Sequence, residues 1–182
     1  MMRALLAAAV ITIPTAAHAG TYLGLGIGTE PGGSGAAFSY AQPSGRSLRV
    51  LGGYRFGNFS LEANLDGFGI VNARVPATED HNEYALSGIG KLSLPFGSGF
   101  EGYARLGLER TWLSFGGPSQ NDLSGDGYLI GGGLELRLDA VLTSASIFVD
   151  YTLHHSSLNS DVSKSSVDET YRMWTLGFSV GI

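Results

Sequence analysis

The sequence has no cysteine, and its 182 residues include only four histidines and three methionines. The absence of cysteine excludes disulfide bonds, thiol catalysis and cysteine-ligated metal sites. Lysine and arginine total 11 against 16 aspartates and glutamates, and no basic cluster marks a nucleic-acid surface. Beyond residue 20, no stretch approaches the roughly eighteen uninterrupted apolar residues that a membrane-spanning helix needs. A chain of this composition can therefore cross a membrane only with strands.

The amino-terminal residues have the pattern of a secretory signal peptide. Arg3 gives a positive start, Ala4 to Ile13 is apolar, and Ala17 and Ala19 are the small residues that precede a cleavage site. We expect residues 1–19 to be the signal peptide and residues 20–182 to form one domain. The mature chain then has 182 − 19 = 163 residues and a net charge of 10 − 16 = −6.

Large apolar residues alternate with small or polar ones along most of the mature chain. In the last thirteen residues one face carries Trp174, Leu176, Phe178, Val180 and Ile182, while the other carries threonine, glycine and serine. Alternation of this kind is typical of a strand with one apolar face, since successive side chains point to opposite sides. Eight such segments can be counted, at residues 21–28, 47–56, 59–68, 83–94, 100–112, 127–137, 143–153 and 170–182.

The connections between these segments alternate in length. Short connections at residues 57–58, 95–99 and 138–142 alternate with long polar ones at 30–46, 69–82, 114–126 and 154–169. This alternation predicts an all-β fold, an eight-stranded antiparallel up-and-down transmembrane β-barrel. It further predicts that the short turns and both termini face the periplasm, that the long loops face outward, and that the protein is integral to the cell outer membrane.

Ionisable residues lie on the predicted inner face of nearly every segment. An eight-stranded barrel is just wide enough for its side chains to fill, so charges inside it must be paired. We expect a network centred on Glu62, Lys91, Arg105 and Glu135, with Asp66, Glu101, Glu109 and Arg137 nearer the strand ends. The network either fills the interior as a structural plug or forms a gated ion pathway. The residues assigned to it are Arg49, Arg55, Glu62, Lys91, Arg105, Glu135 and Asp150.

Aromatic residues near the segment ends are the type found in girdles at membrane interfaces. The residues assigned to such girdles are Tyr22, Tyr84, Trp112, Tyr128, Tyr151 and Trp174. His81, His154 and His155 lack the spacing of a defined metal site, and no metal or cofactor is expected.

Five short motifs occur in the order and register of the OmpA-type transmembrane domain, which this chain resembles. They are Gly52-Gly53-Tyr54-Arg55, Leu61-Glu62-Ala63, Gly90-Lys91-Leu92, Tyr103-Ala104-Arg105-Leu106-Gly107 and Gly131-Gly132-Gly133-Leu134-Glu135. The resemblance implies an eight-stranded barrel with a charge-paired interior, in which Glu62, Lys91, Arg105 and Glu135 match the family's inner charges and Asp150 matches a further inner carboxylate. Since the last predicted strand lies at the end of the sequence, we expect no peptidoglycan-binding domain. Ile182 stands where the family usually has phenylalanine.

The resemblance implies a porin-like structural or surface-interaction protein of the Gram-negative cell envelope. Its expected partners are outer-membrane lipid, lipopolysaccharide and, during insertion, the barrel-assembly machinery. The protein is expected to be a monomer that binds no nucleic acid. A soluble lipocalin-like carrier is a further, less favoured interpretation.

An esterase is the alternative function. His155, Ser157 and Glu169 have a spacing similar to that of the PagL-type lipid A deacylases, which are also eight-stranded outer-membrane barrels. In this interpretation Ser157 is the nucleophile, His155 is the base and Glu169 orients the imidazole. Leu158 stands where that family has asparagine, and the alternation places Glu169 on the inner face unless a bulge intervenes.

Overall fold

The structure, a computed structural model, describes residues 20–35, 45–71, 81–115, 123–139, 144–160 and 166–181. The predicted signal peptide lies outside these residues. No helix among them is long and apolar enough to cross a membrane. The strands are β1 Gly20–Gly28, β2 Gly32–Gly35, β3 Arg46–Phe56, β4 Phe59–Val71, β5 His81–Pro95, β6 Phe100–Phe115, β7 Leu123–Asp139, β8 Ser144–Ser160 and β9 Ser166–Gly181.

The strands form one closed antiparallel sheet. Each long strand pairs with the next along the chain, from β3 to β9, and β1 pairs with both β3 and β9 to close the barrel. The short strand β2 pairs with β9 beyond the end of β1, at Gly32 opposite Arg172, and so continues the β1 position. The predicted eight-stranded up-and-down barrel is therefore confirmed, with β1 and β2 together making one of its eight positions.

The two-residue alternation of the sequence separates the side chains that face outward from those that face the barrel interior. One row of paired residues shows this, since its five members lie side by side across five strands and all face outward. Their exposed fractions run from 45% to 52%, although every one is a large hydrophobic residue. The row consists of Phe178, Leu25, Val50, Leu65 and Leu86.

The strands extend further toward the long connections than the alternation predicts. β8 continues to Ser160, where the prediction ended the strand at Leu153, and β7 already begins at Leu123. Both extensions keep the inward and outward alternation, so the polar residues there form strand instead of loop. The first long connection, predicted as loop throughout, contains β2.

Two glycines show how the backbone admits the turns and the interior packing. Gly57, in the turn between β3 and β4, has φ = 66°, a conformation that glycine adopts at no steric cost. At Gly177 in β9, an added Cβ would collide with the ring of Phe148. Inner-face glycines therefore make room for large side chains that fill the barrel.

Candidate functional site

The interior changes in character from one end of the barrel to the other, and β8 crosses it from end to end. We call the end with the short turns the turn end and the opposite end the loop end. From the turn end, the buried inward residues of β8 are Ser146, Phe148, Asp150, Thr152, His154, Ser156 and Leu158, and each is at most 8% exposed. The strand thus passes an apolar residue, a charged layer, a layer of histidine and hydroxyls, and a second apolar residue.

A bidentate ion pair lies closest to the turn end. The Arg55 guanidinium donates to both carboxylate oxygens of Glu101, at 2.7 and 2.9 Å. Arg137 Nη1 lies 3.9 Å from the same carboxylate. Because the paired geometry matches the planar guanidinium, this contact is of the stronger class of charge-assisted hydrogen bonds.

Lys91 forms the next group of contacts toward the barrel centre. Its ammonium donates to Glu135 at 2.6 Å, lies 3.5 Å from Glu62, and sits 4.2 Å above the ring of Tyr103. Glu62 also accepts a hydrogen bond of 2.7 Å from Tyr22. One buried cation is therefore held by two carboxylates and an aromatic face.

Asp150 is the centre of a second charge group. It accepts from Arg49 at 3.0 Å, from Arg105 at 2.9 Å and from the Tyr103 hydroxyl at 3.2 Å. Arg49 also donates to Asp66 at 2.7 Å, and both partners are at most 1% exposed. Arg105, one of the four residues expected at the centre of the network, is joined to it through Asp150. Asp66 was expected nearer a strand end but lies at this centre.

Closer to the loop end, three buried carboxylates form what we call the acidic layer: Glu83, Glu109 and Glu169. Glu109 shares a hydrogen bond of 2.7 Å with His154 Nδ1 and accepts one of 3.0 Å from Ser156. Glu83 Oε1 and Glu169 Oε2 are buried without a hydrogen-bond partner. No lysine or arginine in the described ranges forms an ion pair with these three carboxylates.

Within the described residues, no group of three His, Cys, Asp or Glu side chains is arranged to hold a metal ion. Of the histidines considered from the sequence, His154 stacks on Tyr171 with ring centroids 4.6 Å apart, and His155 hydrogen-bonds Thr170 at 2.8 Å. The side chain of His81 lies outside the described part.

Apolar clusters separate these polar groups along the interior. Leu51, Tyr103 and Phe148 pack together beside Lys91, and Phe68, Ala85, Tyr171 and Met173 pack next to His154. Leu113 and Leu158 pack with Leu123 and Val167 at the loop end. The acidic layer is therefore flanked by apolar side chains on both sides.

Most of the aromatic residues assigned to the interface face outward. Tyr84, Trp112, Tyr128 and Trp174 are 37–54% exposed, and Tyr151 packs against Trp174 with ring centroids 5.0 Å apart. Tyr22 is different. It points inward, donates to Glu62 and packs against the Leu51 cluster, so the interface assignment is wrong for this residue. Its neighbours Leu23 and Gly24 already fix that orientation, because Tyr22 shares the parity of Gly24.

The three residues of the esterase alternative lie on two faces of the wall. His155 and Ser157 are half-buried on the outer face, where Ser157 donates to Asp168 at 2.7 Å and His155 hydrogen-bonds Thr170. Glu169 points inward and is 1% exposed. The strand pairing puts Glu169 opposite Ser156 without a bulge, so it does not join the other two.

Sequence reasoning singled out neither Tyr103 nor Glu83 as an interior partner. Tyr103 shares the inward parity of Arg105, and Glu83 shares that of Lys91, so the alternation contains the signal. The alternation does not predict the stagger between strands, and this stagger decides which inward residues contact each other.

The fold is shared with solved structures of outer-membrane barrels. Neisserial surface protein A is 17% identical, with a TM-score of 0.64 over 89% of this chain and 97% of that chain. The N-terminal β-barrel domain of Pseudomonas aeruginosa OprF is 14% identical, with a TM-score of 0.54 over 90% and 98%. Ail, the attachment invasion locus protein of Yersinia pestis, is 13% identical, with a TM-score of 0.50 over 88% and 98%.

A scan against protein-family models and a search of curated proteins find no match. The solved structures are eight-stranded outer-membrane barrels, and at this level of identity the likeness establishes the fold. The predicted resemblance to an OmpA-type eight-stranded barrel is confirmed at that level.

Proposed function

We propose that this protein is an integral outer-membrane barrel with a structural or surface-interaction role. The observation that carries the proposal is a distribution of polarity opposite to that of a water-soluble protein, with apolar side chains outside and charged ones inside. Among the described residues, 28 large hydrophobic side chains are exposed by 37–75% on the wall and its short turns, while the interior charges are buried. Water would penalise such a surface, whereas lipid accepts it. In this orientation the termini and short turns face the periplasm and the long connections face outward.

The packed interior supports a structural role over a conducting one. The apolar clusters around Leu51, Phe68 and Leu113 lie at three levels of the interior, and ion pairs lie between two of them. A continuous water-filled path would have to displace these side chains. We therefore propose a monomeric barrel whose long connections carry any interaction with partners at the cell surface, with lipopolysaccharide around its wall. Insertion would depend on the barrel-assembly machinery.

Cell fractionation tests the location. The protein should be extracted by detergent from the outer-membrane fraction and should migrate faster on gels before boiling than after it. Recovery as a soluble periplasmic protein would contradict the proposal. Planar-bilayer recordings address the alternative of a gated ion pathway, since steady single-channel openings by the purified protein would favour that pathway over a structural plug.

The esterase remains the second candidate, because His155 and Ser157 share the outer face, where a lipid ester would be accessible. Mass spectrometry of lipid A from cells with the wild-type protein, with Ser157→Ala and without the protein separates the two functions. An esterase releases an acyl chain only with the wild-type protein. A structural barrel leaves the three lipid A spectra the same.

A further inference from the structure

On β3 and β9, the outward side chains change from apolar to polar on approaching the loop end. On β9 the apolar residues Phe178, Leu176 and Trp174 are followed by Arg172, and on β3 Leu48 is followed by Arg46. Trp174 belongs to the aromatic level that marks a membrane interface. Arg172 and Arg46 therefore lie just beyond the hydrocarbon, at the height of lipid headgroups.

The pairing of the strands places these two arginines on either side of Trp174. Arg172 is two residues from Trp174 on the same face of β9. Thr29 donates its backbone N–H to the Trp174 carbonyl at 2.8 Å, so the two residues are neighbours across strands. The pairing of Ile27 with Leu48, continued by two residues, puts Thr29 opposite Arg46. Arg46 thus stands one strand beyond Thr29.

The surface between the two arginines is formed by small residues. Gly32 lies opposite Arg172, and no atom lies within 4 Å of the position its Cβ would occupy. Thr29 occupies the place next to Arg46. With only a hydrogen and a threonine side chain between them, the two guanidiniums border a shallow open area in which an anion can approach both.

Neither arginine has an acidic partner in the described part of the chain. Glu169 is the carboxylate nearest to Arg172 along the chain, but it is 1% exposed and points into the barrel. The exposed carboxylates of Glu30 and Asp168 form no ion pair with Arg46 or Arg172. Asp168 instead accepts a hydrogen bond from Ser157. The third exposed arginine of the outer rim, Arg110, is paired with Asp126 at 3.1 Å. The free positive charge of the described rim is therefore concentrated beside Trp174.

We propose that Arg46 and Arg172 bind the phosphate of an anionic lipid headgroup, over Thr29 and Gly32, with the lipid's acyl chains lying against Trp174 and Leu176. A guanidinium suits a phosphate because its fork of N–H donors matches two phosphate oxygens. The apolar stripe that continues directly below the arginines favours a lipid over a free anion. The inference rests on the proposed membrane location.

Quenching of Trp174 fluorescence by brominated lipids measures this binding. The sequence has two tryptophans, so a Trp112→Phe background leaves Trp174 as the reporter. The protein is reconstituted in phosphatidylcholine vesicles that contain increasing fractions of either brominated phosphatidylcholine or brominated phosphatidic acid. Phosphatidic acid should quench more strongly at equal fraction. Its preference should fall about fivefold for each arginine lost, the effect expected of one basic residue at an anionic lipid surface.

The variants Arg46→Gln, Arg172→Gln and the double change test the two sites, and Arg110→Gln is the matched control because its charge is already paired. An equal loss in Arg110→Gln, or an unchanged preference in the double variant, would overturn the proposal. Abolition of the preference by inorganic phosphate at constant ionic strength would indicate a site for free anions instead. Heat-modifiable migration of every variant shows that the barrel has inserted, so failure of the lipid site is distinguishable from failure of the membrane proposal.

Discussion

The two halves of the barrel interior bury their charges in different ways. Toward the turn end, five basic residues face five acidic ones, and the contacts between them are ion pairs of 2.6 to 3.9 Å. The set is Arg49, Arg55, Lys91, Arg105, Arg137, Glu62, Asp66, Glu101, Glu135 and Asp150. Toward the loop end, His154 is the only ion-pair partner that the described residues supply to the acidic layer of Glu83, Glu109 and Glu169.

The difference shows that an inward-facing, buried carboxylate does not necessarily have a basic partner. Both halves lie on the inner face, and their carboxylates are buried to a similar degree. In the turn-end half, each buried charge recovers part of its lost hydration from a partner of opposite sign. In the acidic layer, Glu83 and Glu169 each keep an oxygen without a hydrogen-bond donor, which makes this layer the costlier of the two.

Removing the shared carboxylate should have the largest effect. Asp150→Asn leaves Arg105 without its acid and Arg49 with Asp66 alone, so we expect a loss of about 3–5 kcal/mol in the free energy of unfolding. Urea titrations of the protein in lipid vesicles, followed by tryptophan fluorescence, measure the loss. A change below about 1 kcal/mol would show that water screens the turn-end half and that its ion pairs contribute little.

The Lys91 group should be affected slightly less, because Glu62 there also accepts a hydrogen bond from Tyr22. Lys91→Met should cost roughly 3 kcal/mol by leaving Glu62 and Glu135 unpaired. A double-mutant cycle with Glu135→Gln should give a coupling energy above about 0.5 kcal/mol. The cycle of Glu135→Gln with Arg105→Met is the control. Since Arg105 pairs with Asp150, those two losses should be nearly additive.

In the acidic layer the sign should reverse. Glu83→Gln and Glu169→Gln keep the side-chain shape, remove an acid that has no basic partner, and add an N–H donor. Each should raise the free energy of unfolding by about 1–3 kcal/mol, the penalty of an unsatisfied buried polar group. The same unfolding titrations measure both variants. A loss as large as that of Asp150→Asn would mean that the two halves bury charge in the same way.

The smallest effect is expected outside the barrel. Asp126→Asn breaks the ion pair with Arg110. The side chain of Asp126 is 78% exposed and that of Arg110 is 52% exposed. Exposed pairs of this kind contribute about 0–1 kcal/mol, and the contribution decreases with salt. The measurement compares the unfolding midpoints of Asp126→Asn and Asp150→Asn in low and high salt. The effect of the exposed pair should decrease with salt, whereas the effect of the buried pair should change little. Equal effects of the two changes would contradict the burial of Asp150.

The sequence by itself determined the class of fold and the facing of most side chains. Alternation has a period of two residues, so the facing of a side chain depends only on its position within its own strand. Leu176 and Phe178 could therefore be placed outside, and Lys91 and Asp150 inside, without knowledge of the neighbouring strands. The alternation of short and long connections then determined the up-and-down order of the strands.

Tertiary structure decided which inward residues meet. The inner positions of one strand can face different positions of the opposite wall, depending on the stagger with which the barrel closes. That stagger brings Arg105 to Asp150 instead of Glu135. It also surrounds Glu83 with acids and the Phe68 cluster instead of a base. Contacts across a closed barrel depend on the register of every strand pair around its circumference. A local pattern in the sequence does not specify these registers.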